Sequence, residues 1–499
     1  MLSRLIEIGC LPVEQVDNQC CGESLRLDTE PLRFDAKLLG LRIGELDGYL
    51  HGTQLYNAPV PARAFRLLLH HPAVQALAAA AGDVETHLVG GVLRDRALGL
   101  PLKDVDAVVA SRGREIAERL AETLPARLVF LGGKEFAAYR LVAQDLDVDL
   151  WDRDGTTLHQ DLARRDFTVN SFALDVRTGA LVDPFHGMGD LGRRLLKATT
   201  PESFTGDPLR VLRLPRLLVR LPGFAADPDT VGLARRSVSR LTDVAAERVR
   251  DELTFILEHP EAHRAVALLI ALDVYPGLWL GRPGEHLRAG TALSELEALR
   301  ERILDLRLQD TGAADRVDAR VARLAILFRN LPMQGTAREA LVRFRDAGYL
   351  TRQTADDVAL VLELAALPEE EVGLRRFLHR AGRLWPTIVC ALGARLAASE
   401  VRGGLDRWRA VLPRLAELAR REGEVLFDPP RLVTGADVQS LLGIPPGREI
   451  GRVLDAVREA QVEGRVRTRV EAVEMVRALT PGPSPASGRG EQSKDLPKI

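Results

Sequence analysis

The sequence predicts an α+β chain in which a mixed-sheet domain is followed by helices almost to the end. Three observations predict it. Between His87 and Asp183, short β-branched runs alternate with helical periods. From about Leu191 a 3.6-residue period takes over and continues to about Leu479. A chain of 499 residues has room for two to four domains.

Residues 1–60 show no clean period and stand as an unassigned N-terminal segment, whereas residues 63–82 carry a helical pattern. "THLVG", "DVDAVV", "ARLVFL", "AAYRLVA" and "LDVDLW" are short and rich in β-branched residues, so they read as strands. "VLRDRALG" reads as a helix, and "REIAERLAETL" as a crossover helix. Farther on, "EALRERILDLRLQD" and "LDRWRAVLPRLAELARREG" keep helical spacing. The end, "TPGPSPASGRGEQSKDLPKI", has little to bury and is expected to be a disordered tail over 480–499. No internal repeat is visible.

At 46% hydrophobic and 28% charged the composition is that of an ordinary water-soluble protein. A net charge of −2 excludes a global field that attracts nucleic acid, so a nucleic-acid partner needs locally clustered base. The base is nearly all arginine; lysine occurs only at 37, 103, 134, 197, 494 and 498. Cys10, Cys20, Cys21 and Cys390 lack metal-ligand spacing and suit reduced thiols. The apolar run "AVALLIALDVYPGLWL" is broken by Asp273 and Pro276, so it is no membrane span. The start lacks the apolar core of a signal peptide, and the expected setting is cytoplasmic.

The chemistry begins at "HLVGGVLRDRALGLPLKDVDAVVA" (87–110). On a strand, residues i and i+2 share a face, so Asp104 and Asp106 aim two carboxylates at one place. Two like charges that close repel, and a hard divalent cation such as Mg²⁺ relieves them. A solvated turn would also accommodate this pair by itself. Upstream, Gly90-Gly91 lies between a strand and a helix, where backbone N–H groups face an anion. A tight strand-to-helix turn needs glycine too. Together the two features describe a triphosphate cradle beside a metal site.

These residues, with motifs that follow in order, resemble the class II tRNA nucleotidyltransferase and bacterial poly(A) polymerase family, within the DNA polymerase β nucleotidyltransferase superfamily. "DLARRDFTVNSFAL" (161–174) is similar to its RRDFT-x-N motif and "LVDPFHGMGDL" (181–191) to its D-P-F-x-G-x-x-D-L motif. "GDPLRVLRLPRLL" (206–218) resembles its E-D-x-x-R helix, and "ERVRDEL" (247–253) the next helical motif. The segment 433–466 resembles the family's C-terminal part. The likeness spans about residues 60–480.

The resemblance implies a nucleotidyltransferase head over 61–195, a base-recognising helical neck over 196–260, a helical body over 261–425 and an RNA-binding helical tail over 426–479. It implies that Asp104 and Asp106 bind Mg²⁺. Asp149 is a candidate third carboxylate, with Asp147 and Asp152 close by. Gly90, Gly91 and Arg94 match positions at the triphosphate end, while Asp95 is expected to be structural. Arg165 matches a further nucleotide contact, and Asp166 and Asn170 organise the ribose and the loop. Asp207 and Arg210 match a base-reading pair, expected to share a helix face with Arg213. Arg216 follows on that helix. Two departures stand out: Gly206 replaces the usual glutamate, and Pro215 interrupts the arginine helix.

His159 and His186 are single histidines without ligand spacing. Phe328-Arg329-Asn330 offers no His-Asp pair, so no phosphohydrolase activity is expected. RNA phosphates could be met by Arg375, Arg376, Arg380 and Arg383, or by Arg465, Arg467 and Arg469, although pairing with the abundant glutamates explains such clusters equally well. The implied function is metal-dependent, template-independent transfer of CMP, AMP or both from CTP and ATP to a tRNA 3′ end. The alternatives are a poly(A) polymerase and a catalytically inactive RNA-binding protein. Only "DRDGTTLHQDLA" separates Trp151 from Arg164. That short link suits an enzyme that adds C and leaves the terminal A to a separate A-adding partner.

Overall fold

Alternation along "DVDAVV" buries Val105, Ala107 and Val109 on one face and turns Asp104 and Asp106 to the other. A computed structural model of the chain describes residues 62–102, 104–131, 138–143, 146–153, 155–274, 289–307, 309, 312–330, 336–399 and 403–479. The unassigned segment, the expected disordered tail, Cys10, Cys20 and Cys21 lie outside the described residues.

Seven strands form one sheet: β1 (Thr86–Val89), β2 (Asp104–Val109), β3 (Arg127–Leu131), β4 (Ala138–Val142), β5 (Asp147–Asp152), β6 (Ala173–Asp175) and β7 (Leu181–Val182). Their order is β3-β4-β5-β2-β1-β6-β7. Only β2 and β5 run parallel; every other pair is antiparallel. The helices of this part are α1 (Ala62–Leu69), α2 (Pro72–Ala81), α3 (Gly91–Ala97), α4 (Gly113–Thr123), α5 (Leu158–Ala163) and α6 (Gly187–Arg193). The single helix expected over 63–82 is two, because Pro72 opens α2 and His71 caps it. α4 packs across β3, β4 and β5 over buried Leu141, Val148 and Leu150. On the opposite face α5 sets Leu162 against Val89, Val108 and Ala173, with Trp151 at the edge of that cluster.

Downstream lie α7 (Arg210–Arg220), α8 (Pro228–Arg236), α9 (Ala246–Glu258) and α10 (Ala262–Ala271). α7 packs against both α9 and α10 through a stripe that includes Val211, Leu214 and Leu218. It runs on through Pro215, which is itself buried. A two-stranded parallel pair, Leu195–Leu196 with Ala225–Ala226, interrupts the helical stretch.

The chain divides into two compact units. One holds the sheet and the helices up to Arg300, with Ala319–Ala359; the other holds Glu301–Asp318 and the chain from Leu360 onward. Packing of α7 on α10 explains why no break falls near residue 260. Within the second unit, helices Gly435–Leu442, Arg448–Val462 and Arg469–Ala478 enclose a core of Val438, Val457, Ala460 and Val476. Among the described residues no helix is long and apolar enough to cross a membrane.

Candidate active site

A cleft of about 360 Å³ opens where β1 meets α3, lined by Gly90, Gly91, Asp106, Trp151, Asp161, Arg164, Arg165, Asp166, Asn170, Arg210 and Arg213. Eight of these are sequence-expected site residues: Gly90, Gly91, Asp106, Arg165, Asp166, Asn170, Arg210 and Arg213. The turn into α3 brings them close. Gly90 has φ 76° and ψ −142°, a conformation that suits glycine. A Cβ there would lie 3.1 Å from both Asp106 Oδ2 and Arg165 Nη1. The bare backbone therefore lets a carboxylate and a guanidinium converge at the cleft floor.

Asp104 is exposed and Asp106 is part-buried. Burial, then the charges of Asp104 and Asp149, push the Asp106 carboxyl up to about 6 against the pull of Arg165 and Arg94. Crowded hard oxygen donors of this kind fit a divalent cation. Register sets Asp149 beside Asp106 and Asp147 beside Asp104. Asp149 is not left free, however: Arg140 Nε and Nη2 donate to its two oxygens at 2.6 Å each. Among the described residues, no three His, Cys, Asp or Glu side chains are grouped to hold a metal. The third carboxylate expected from sequence is thus held in an ion pair.

Arg94 also differs from expectation. It is only 3% exposed and does not line the cleft. Its Nε donates to Asp95 at 2.7 Å and its Nη1 to Asn170 Oδ1 at 2.6 Å. Asn170 Nδ2 in turn donates to Asp166 Oδ1 at 2.8 Å. Arg94 therefore fixes the Asp166 carboxylate through Asn170, while Asp95, as expected, is structural and also accepts from Arg220 at 2.9 Å. The turn carrying Asp166 is braced from behind: Thr168 Oγ1 donates to buried Asp190 at 2.8 Å, and a Cβ on Gly187 would meet the Thr168 carbonyl oxygen at 2.0 Å. Asp183 accepts from the Gly187 and Met188 amides at 2.7 and 2.9 Å, so "DPFHGMGDL" serves as scaffold. His186 sits at its turn with φ 58°, and His159 packs on Phe185.

α7 begins at Arg210, and Asp207 stands just before it, accepting from the Leu209 amide at 3.2 Å and, through its carbonyl, from the Arg210 amide at 3.1 Å. Asp207 accepts from Arg248 at 3.2 Å, and it does not line the cleft. Arg210 does line it, but its guanidinium serves backbone carbonyls: Ser203 at 2.9 Å, Arg165 at 3.4 Å, and Arg164. Burial holds its pKa below the usual arginine range. Arg213 lies 3.6 Å from Asp166. Arg216 does not line the cleft; it lies 2.9 Å from buried Glu252, which Arg213 also meets at 3.6 Å, and 4.4 Å from the centre of the Phe255 ring.

Four residues at the site were not singled out from sequence. Arg140 shows its role only through strand register. Asp161 accepts from Arg165 at 3.0 Å, a spacing of four on one helical turn that was readable. Trp151 and Arg164 complete the lining. In the second unit the expected RNA-binding arginines are largely paired. Arg375 is buried against Glu422 and Glu371, Arg376 meets Glu459 and Glu463, and Arg380 meets Glu363. Arg465 pairs with Glu463 and Arg469 with Asp437, while Arg467 donates to the Gly464 carbonyl. Arg383 remains exposed.

Comparison with known proteins fits this geometry. Residues 86–197 match the poly A polymerase head domain, and residues 223–279 match a probable RNA and SrmB-binding site of polymerase A. The A-adding tRNA nucleotidyltransferase of Deinococcus radiodurans is 32% identical over 422 residues, covering 77% of this chain and 93% of that protein. The chain belongs to the tRNA nucleotidyltransferase and poly(A) polymerase family. The CC-adding tRNA nucleotidyltransferase of Geobacter sulfurreducens, another member, is 29% identical over 432 residues, covering 83% of this chain and 94% of that one. Among solved structures, the Bacillus stearothermophilus CCA-adding enzyme in complex with CTP aligns with a TM-score of 0.59 and 27% identity, covering 83% of this chain and 98% of that one.

Proposed function

We propose that this protein transfers CMP, AMP or both from CTP and ATP to the 3′ end of tRNA without a template, in the cytoplasm. The observation that carries the reading is the convergence of Asp106 and Arg165 on the Gly90 backbone, at the floor of a cleft lined with arginines. The names of its relatives support tRNA as the acceptor. In the reaction the RNA 3′-oxygen bonds to the α-phosphorus, the bond to pyrophosphate breaks, and the hydroxyl proton passes to water. Mg²⁺ held by Asp104, Asp106 and substrate phosphates would activate the 3′-hydroxyl and neutralise the leaving group. Arg164, Arg165 and Arg213 face the triphosphate, whose charge they match. Asp166, fixed by Asn170, accepts from the ribose, and Trp151 offers a flat surface to the base.

The stretch after β5 favours C addition. Thr157 and Gln160 form a capping box, α5 follows at once, and Asp161 grips Arg165. A pocket that must suit a pyrimidine and then a purine needs a mobile segment. Here the connection is built into a helix and an ion pair. A separate A-adding enzyme in the same cell would then complete the end.

The test offers purified protein a tRNA lacking its 3′ end, or an oligo(A) primer, with CTP, ATP or both, and sequences the products. Ends in CC are expected. A majority of full CCA ends refutes the loop argument, and long A tails on either RNA favour a poly(A) polymerase. Asp104→Ala and Asp106→Ala should each abolish addition while the fold persists; undiminished addition removes the metal assignment.

A further inference from the structure

The face of the sheet that carries Asp104 and Asp106 also carries Asp147 and Asp149, in register as two adjacent pairs. Partners on neighbouring strands sit about 5 Å apart. A cation bound by Asp104 and Asp106 would therefore have Asp149 within easy reach as a third ligand. One residue of β4 changes that. Arg140 stands opposite Asp149 in the antiparallel register and donates to both of its oxygens at 2.6 Å. Asp149 is 7% exposed while the Arg140 side chain is 43% exposed, so the pair owes its strength to its bidentate, charge-assisted geometry. Each Asp149 oxygen keeps a second lone pair. The effect therefore lies in charge: the guanidinium offsets much of the attraction that Asp149 would exert on a nearby cation. The charges of Asp147 and Asp104 also act on Arg140, which places its cation within the field of the metal-binding pair.

We propose that Arg140 is a positioning residue of the metal site: by holding Asp149 it keeps the site at two effective carboxylates, so that a divalent cation binds the free enzyme weakly and enters with the nucleotide. Mg²⁺ commonly takes one or two carboxylates together with substrate phosphates. A third free carboxylate would instead retain a cation before any nucleotide arrives, and a cation retained in that way is not matched to an incoming triphosphate. This inference rests on the assignment of Asp104 and Asp106 as metal ligands.

The experiment measures Mn²⁺ binding to the full, nucleotide-free chain by electron paramagnetic resonance of the free ion. Variants are Asp104→Asn, Asp106→Asn, Arg140→Gln, and the double variant Arg140→Gln with Asp149→Asn. Asp104→Asn and Asp106→Asn should weaken binding; if both leave it intact, the metal assignment itself fails. Given that weakening, Arg140→Gln should tighten binding on the order of tenfold, the scale on which partners of a metal site act. The double variant should return to the wild-type affinity, because it removes the carboxylate together with its counter-charge. Unchanged or weaker binding in Arg140→Gln overturns the proposal. If that variant does not fold, the double variant decides alone: wild-type affinity supports the inference, and a loss like that of Asp104→Asn shows Asp149 to be a ligand already.

Discussion

Gly90→Ala puts the close approach at the cleft floor under direct stress. Gly90 is at φ 76° and ψ −142°, where a side chain adds strain on the order of 1–3 kcal/mol. At about 2–4 °C per kcal/mol for a domain of this size, the melting temperature should fall by roughly 2–12 °C. The new Cβ would also stand 3.1 Å from Asp106 Oδ2 and 3.1 Å from Arg165 Nη1, so both charged ends must retreat by a few tenths of an ångström. Since a 1 Å misplacement costs about a hundredfold, a shift of that size should lower kcat by roughly five- to tenfold. Gly99→Ala is the control. It has φ 73° but nothing within 4 Å of its added Cβ, so it should lose stability without losing rate. Single-turnover incorporation of CMP into a tRNA lacking its CCA end, run beside thermal melts, separates the two effects. If Gly90→Ala and Gly99→Ala lose rate equally, or neither loses any, the convergence at Gly90 does not matter to the chemistry.

Asp106, pushed up to about 6 from an ordinary 3.8, binds its proton more tightly in the folded chain than in the unfolded one. Its contribution to stability is therefore present below pH 3.8 and lost as pH rises through 6, up to about 3 kcal/mol in the metal-free enzyme. Asp106→Asn should accordingly stabilise the metal-free protein more at pH 7 than at pH 5 in calorimetry; an equal effect at both refutes the raised pKa. Arg210→Lys puts its donors on one nitrogen, which cannot span carbonyls now reached by two separate guanidinium nitrogens, and should cut kcat/KM for CTP about tenfold or more. A variant altered only in its CTP-to-UTP ratio would return Arg210 to a base-reading role. Arg216→Ala leaves buried Glu252 with its longer 3.6 Å contact to Arg213 and should cost about 1–3 kcal/mol in chemical denaturation, with KM for CTP unchanged. A raised KM without loss of stability would place Arg216 at the nucleotide.

Much of the site was legible because its signals are local. Two aspartates one residue apart on an apolar strand share a face whatever the rest of the fold does, and glycines at a strand-to-helix turn announce a close approach. The five strands read from "THLVG" to "LDVDLW" all appear as β1 to β5. Short β6 and β7 were missed because two or three residues carry no period. What Asp207 and Arg210 meet was not legible, because their partners come from elsewhere in the chain: Arg248 donates to Asp207 at 3.2 Å, and Arg210 donates to the carbonyls of Arg164, Arg165 and Ser203.

The sequence by itself determined the strands, the helical second half, the aspartate pair and the glycine turn, since each depends on dihedral preference and spacing within a few residues. Tertiary structure alone decided which charges are spent. Arg140 and Asp149 are nine residues apart and meet through register. Arg94 and Asn170 are 76 apart and meet in a part-buried contact. An arginine written in a motif is a cation of fixed charge, but whether it faces a nucleotide, a carboxylate or a carbonyl depends on what the fold brings within about 3 Å of it. That is a long-range property no local pattern contains.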